Sequence, residues 1–73
     1  MNKDILEGNW TLLKGKVKTQ WGKLTDDDIT KVNGNYEQLQ GLLQKNYGYQ
    51  KEEADTEIKT FLDKCNIKEK SNL

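Results

Sequence analysis

Apolar residues in the first third of the chain fall at Leu6, Trp10, Leu13, Val17, Trp21 and Leu24, in steps of 4, 3, 4, 4 and 3. That spacing keeps them on one stripe of an α-helix. Ile29, Val32, Tyr36, Leu39, Leu43 and Tyr47 form a second stripe, and Ala54, Ile58, Phe61 and Cys65 a third. No stretch alternates apolar and polar residues with period two, so the pattern predicts helices and no sheet.

The glycines carry a second pattern. They fall at 8, 15 and 22 and again at 34, 41 and 48, with spacing seven inside each set and an offset of 26 between sets. Their neighbours agree: Gly8-Asn9-Trp10 matches Gly34-Asn35-Tyr36, Leu13-Lys14-Gly15 matches Leu39-Gln40-Gly41, and Trp21-Gly22 matches Tyr47-Gly48. The chain therefore reads as two copies of one helical unit followed by a final helix.

The unit boundaries have physical causes. Thr25 and Asp28 have the spacing of a capping box, with Asp26 and Asp27 in the first helical turn, where the helix dipole favours negative charge. Gly22 and Gly48 follow the helical runs and suit the left-handed position that ends a helix. Loops at about 22–25 and 48–51 are short enough to pair neighbouring helices as hairpins. Gly8 and Gly34 are candidate breaks inside the units, the second in the Asn33-Gly34-Asn35 run. The expected architecture is all-α, a small bundle of three to five helices, with one domain over residues 1–65. Residues 66–73, including Lys68-Glu69-Lys70-Ser71-Asn72, are expected to form a frayed tail.

A weaker stripe, Ile5, Gly8, Leu12, Gly15 and Thr19, lies almost opposite the main one. It is either a face buried against the C-terminal helix, the reading the pattern favours, or a contact surface for a partner, to which Lys14 and Lys18 are added as candidate residues.

Composition narrows the chemistry. The chain has 73 residues, 33% hydrophobic and 33% charged, with 12 basic and 12 acidic residues. Mean hydropathy is −1.02. Leu, Ile, Val and Phe make up 16 of the 73 residues, just above the level of about 20% below which chains tend to stay disordered. No run approaches the roughly 20 apolar residues of a membrane span. Met1-Asn2-Lys3-Asp4 does not open like a signal peptide. With Cys65 as the only cysteine, no internal disulfide can form, and a reducing, cytoplasmic setting is expected. There is no His, hence no imidazole base, nucleophile–imidazole pair or imidazole metal ligand. The Asp26-Asp27-Asp28 run is explained by a helix start rather than a metal. No catalytic, cofactor-binding or metal-binding residues are assigned, and no cofactor is expected.

The balanced charge conceals an asymmetry. Residues 1–24 carry five Lys and two acidic residues, net +3, and residues 25–73 carry net −3. A basic N-terminal helix carrying Trp10 and Trp21 raises nucleic-acid binding through phosphate contacts as an alternative function. Against it, Lys16 points away from Lys14 and Lys18, both Trp lie on the core stripe, and Arg, the residue suited to bidentate recognition, is absent. A membrane-surface role is weaker still, because the Trp and Leu face would have to leave the core.

Met1-Asn2-Lys3-Asp4, Gly8-Asn9-Trp10, Leu13-Lys14-Gly15-Lys16-Val17-Lys18, Gln20-Trp21-Gly22-Lys23-Leu24-Thr25-Asp26-Asp27-Asp28 and Tyr47-Gly48-Tyr49-Gln50-Lys51 resemble the bacterial CsbD-like family, with a close likeness to its enterobacterial members. The likeness runs from Met1 to about Ala54. It departs at Asn33-Gly34-Asn35-Tyr36, where family members often carry Glu-Gly-Lys-Arg, so charge is missing there. The resemblance implies a helical bundle of the kind described as two α-hairpins packed orthogonally. It also implies a general stress-response protein of stationary phase or osmotic stress. The family has no established catalytic or ligand-binding residues to carry over. The expected function is that of a non-enzymatic, hydrophilin-like protectant or interaction module, with other proteins under stress as partners. The candidate interaction surface is Ile5, Gly8, Leu12, Gly15, Lys14 and Lys18.

Overall fold

The computed structural model describes residues 2–65. Five helices follow in order: α1 (Asn2–Gly8), α2 (Trp10–Gln20), α3 (Asp26–Val32), α4 (Tyr36–Tyr47) and α5 (Lys51–Lys64). The described residues form no strand, as the periodicity predicts. The expected tail at 66–73 lies outside the described residues.

The molecule measures 37 × 24 × 17 Å. Its thinnest dimension matches two helix layers packed roughly 8–10 Å apart, axis to axis. α4 and α5 form the most extensive helix pair, α1 rests on both of them, and α3 bridges α2 and α4. The core takes its side chains from the three stripes: Leu6, Leu13, Val17, Trp21 and Leu24; Ile29, Val32, Tyr36, Leu39 and Leu43; Ala54, Ile58 and Phe61. Trp10, Tyr47 and Cys65 pack at its margin, only partly buried. Trp21 and Phe61 meet with ring centroids 4.9 Å apart and planes tilted by 54°, within the range of favourable tilted aromatic pairs.

Both candidate breaks are real, but they differ. At the first, Asn9 interrupts the helix without severing it. Its amide still reaches the Ile5 carbonyl at 3.1 Å, and its own carbonyl accepts from Leu13 at 2.9 Å. The Asn9 side-chain amide also donates to Ile5 O at 2.9 Å. At the second, the chain turns through two left-handed residues, Asn33 (φ 43°) and Gly34 (φ 84°). Asn35 then restarts the helix, its Oδ1 accepting from the Gln38 amide at 3.0 Å. Gly34 is buried there; a Cβ on it would lie 3.2 Å from Glu7 Cα and 3.3 Å from Trp10 Cβ. Glycine is thus required twice over at this position, by the backbone and by the close approach of the α1–α2 segment.

Helix ends follow the expected chemistry with one exception. The Thr25–Asp28 capping box is present, with the Asp28 amide donating to Thr25 Oγ1 at 3.1 Å and the Thr25 amide to Asp28 Oδ2 at 3.0 Å. Gly48 ends α4 in the left-handed conformation, φ 71°, its amide donating to Gln44 O at 3.0 Å. Gly22 does not play that part. α2 ends at Trp21, with φ −122° and ψ 79°, and Gly22 has no positive φ. The extended turn at Trp21 accompanies burial of its indole, so α2 needs no left-handed glycine after it. The loop is held from α4: the Lys23 amide donates to Tyr47 Oη at 3.3 Å, and the Lys23 ammonium sits 4.9 Å from the Tyr47 ring centroid, a cation–π geometry.

Candidate functional site

The weaker stripe on α1 and α2 does not form a buried face. Ile5 is half-buried against the core, but Gly8, Leu12, Gly15 and Thr19 are exposed. Leu12 is 65% exposed, the one large apolar side chain so exposed among the described residues. Packing against the C-terminal helix, favoured from the sequence, is therefore overturned for these positions. The physical reason is that α5 is turned toward α4 and α1, and its contact with α2 is slight. Leu62, absent from the sequence-derived stripe, is only 2% exposed. With Ala54, Ile58 and Phe61 it gives the i, i+4, i+7, i+8 spacing of a wide apolar face, the signal that could have found it.

Slight contact between α2 and α5 leaves an open groove of about 340 Å³, bordered by Gly15, Lys16, Thr19, Phe61, Lys64 and Cys65 among others. Thr19 Oγ1 donates to Gly15 O at 3.1 Å, so the hydroxyl is turned onto its own helix. Lys14 is exposed. Lys18 is half-buried, its ammonium 3.5 Å from Asp26 Oδ1. Of the six candidate residues, the structure sets Gly15 at the groove and Lys18 in an ion pair, while Ile5 contributes to the core margin. Trp21, the side chain that a base-stacking role would need, is 2% exposed.

A second depression, about 400 Å³, was not anticipated. It lies between α1 and the α3–α4 turn and includes Lys3, Glu7, Lys31 and Asn33–Gln38. Its charges are mixed. Lys3 and Glu37 approach to 3.6 Å, with side chains 67% and 76% exposed, so solvent screens the pair heavily. The Asn33–Tyr36 departure from the family pattern lies along this cleft.

The ionisable groups with perturbed behaviour hold the fold. Hydrogen bonding from the Thr25 backbone lowers the Asp28 pKa below its ordinary 3.8. Tyr36 Oη donates to Asp55 Oδ1, tying α4 to α5. This bond, followed by that from Lys59, lowers Asp55; the Lys59 ammonium lies 2.9 Å from Asp55 Oδ2. Burial first, and then the hydrogen bond to Asp55, pushes Tyr36 well above the usual phenol value. Tyr49, stacked on Tyr47 at 5.5 Å, is also raised, by desolvation and then by Glu57. Cys65 is a free, half-buried thiol. Among the described residues no group of three or more His, Cys, Asp or Glu side chains is placed to hold a metal ion. No helix of the described residues is long and apolar enough to cross a membrane.

These features define a small all-α protein of two imperfectly repeated helical units closed by a fifth helix, with charge spread over its surface. Residues 4–56 match the CsbD-like family, and the chain belongs to it. Similar proteins include UPF0337 protein pc0632 of Protochlamydia amoebophila, 58% identical over 64 residues, spanning 88% of this chain and 97% of that one. UPF0337 protein ECA0631 of Pectobacterium atrosepticum is 56% identical over 63 residues, 86% of this chain and 91% of its own length. UPF0337 protein YjbJ of Escherichia coli K12 is 59% identical over 58 residues, 80% of this chain and 84% of its own.

Proposed function

We propose that this protein is a non-catalytic stress protectant that shields other proteins as water is withdrawn, in keeping with a family associated with general stress response. One observation carries the reading. Gly8, Gly15 and Gly41 sit in helices, exposed, with negative φ and open space where a Cβ would be. Packing requires none of them; Gly8 closes α1, and inside a helix, where Gly15 and Gly41 stand, glycine costs about 0.8–1 kcal/mol relative to Ala. The chain thus forgoes stability at Gly15 and Gly41 while keeping glycine where geometry demands it, at Gly34. A weakly held, heavily charged helical surface can rearrange around a neighbour at low energetic cost.

The test is a drying assay. A desiccation-sensitive dehydrogenase is dried and rehydrated with an equal mass of this protein, of serum albumin, or of the Gly8→Ala, Gly15→Ala, Gly41→Ala triple variant. The wild-type chain should preserve more activity than albumin, and the stiffened variant less than the wild type. Protection equal to albumin, or unchanged in the triple variant, contradicts the reading.

A further inference from the structure

We infer that the groove between α2 and the end of α5 binds the carboxylate end of a single-chain anionic amphiphile, a free medium-chain fatty acid. This goes beyond the shielding role, with which it shares only Gly15.

Three observations converge there. The groove, about 340 Å³, falls at the small end of the roughly 300–1,000 Å³ of ligand pockets, a size suited to one short alkyl chain. Between its two helices it presents the exposed edge of Phe61 (4% exposed), the half-buried Cys65 and the bare Gly15 backbone, with Thr19 and Gln20 as neutral polar neighbours. Leu12, 65% exposed, lies one helical turn before Gly15 and prolongs the apolar strip along α2. The flanking charges have one sign. Lys16 and Lys64 border the groove, and no carboxylate is among the described residues lining it. An anionic head between two ammonium groups with a tail over Phe61 satisfies both features; a neutral or cationic chain satisfies only one.

Gly15 links the groove to the sequence. It stands in the interior of α2, has no positive φ, and nothing lies within 4 Å of its absent Cβ. Neither conformation nor packing asks for glycine, yet any side chain there would project into the groove. The missing Cβ keeps the groove open.

The experiment is a titration of the full chain, isotopically labelled for NMR, with sodium decanoate below its micelle-forming concentration. Saturable shifts should centre on Gly15, Thr19, Phe61 and Cys65. The Lys16→Glu, Lys64→Glu double variant should bind at least about tenfold more weakly, since each head-group contact is a charge-assisted one. Gly15→Leu should lose binding while melting no lower than the wild type, because leucine favours helix and fills only the groove. Decyltrimethylammonium should leave these signals unmoved, and so should vesicles of anionic diacyl lipid. Shifts spread through the core, equal response to the cationic chain, preference for the vesicles, or no saturation by millimolar decanoate would each overturn the assignment.

Discussion

At the scale of single residues, two glycines of equivalent sequence position behave oppositely to what a common repeat suggests. Gly8 is helical and open to solvent, whereas Gly34 has φ 84° and packs so closely that a Cβ on it would lie 3.2 Å from Glu7 Cα. Gly34→Ala should therefore destabilise the fold by more than the roughly 1–2 kcal/mol of left-handed backbone strain alone. Gly41→Ala, with helical φ and free space, should stabilise it by up to about 1 kcal/mol. Urea unfolding of the two variants reads the opposite signs directly; a stabilised Gly34→Ala protein would refute the close approach at that turn. Tyr36→Phe removes the hydroxyl that bonds Asp55 and should cost about 1.5–3 kcal/mol, as for other hydrogen bonds to a charged acceptor.

Acidic residues open both α3 (Asp26, Asp27 and Asp28) and α5 (Glu52 and Glu53), but the two helix starts do not keep the offset of the glycines. The first box joins Thr25 and Asp28; the corresponding bond in the second unit runs from the Gln50 amide to Glu53 Oε1 at 2.8 Å. The glycines repeat at an offset of 26, but these capping pairs repeat at 25. The loop before α3 has five residues (21–25) and that before α5 three (48–50); of that difference one is the missing residue, and the other is taken up by α4, which runs one residue longer than α2. The difference follows from how each helix ends: α2 in an extended Trp21, α4 in the compact left-handed Gly48. Thr25→Ala should cost about 1 kcal/mol through loss of the side-chain acceptor at the start of α3. Calorimetry of that variant beside Thr25→Ser, which keeps the acceptor, separates the cap from packing: the serine variant should melt near the wild type.

Across the whole molecule, stability should be bounded by pH on both sides. Asp28 and Asp55 have folded values below the ordinary 3.8. The stability they confer is present above that value and is lost as pH falls through their lowered folded values. Tyr36 is raised above the ordinary 10.0. Its contribution is complete below 10 and declines as pH rises beyond it, because the unfolded phenol ionises first. The melting temperature should therefore be flat near neutrality and fall at both extremes. Tyr36→Phe should soften the alkaline decline, and Asp55→Asn the acid one. An unaltered alkaline limb in Tyr36→Phe would show that Tyr36 does not set it. The core is small, so single truncations weigh heavily. Leu39→Ala, at a fully buried position, should cost about 2–5 kcal/mol from a total at the low end of roughly 5–15 kcal/mol, and circular dichroism should show its melting transition displaced far downward.

Much of this protein is determined locally and is legible in one sequence. Helical period, capping pairs and the Gly48 terminator depend on residues within a turn or two of each other, so the all-α class, the loops and nearly every core side chain follow from spacing. What the tertiary structure decided are matters of distance along the chain. Gly34 and Gly8 share a sequence context, but only Gly34 takes a left-handed φ with Glu7 and Trp10 packed against it, which makes it obligatory. Leu12 and Leu62 are equally apolar, yet α5 turns toward α4 and α1, burying Leu62 and leaving Leu12 in solvent. The α2–α5 groove exists because two stripes about 45 residues apart fail to close on each other. Periodicity states which face of a helix is apolar; which helix comes to cover it is settled by packing among all five.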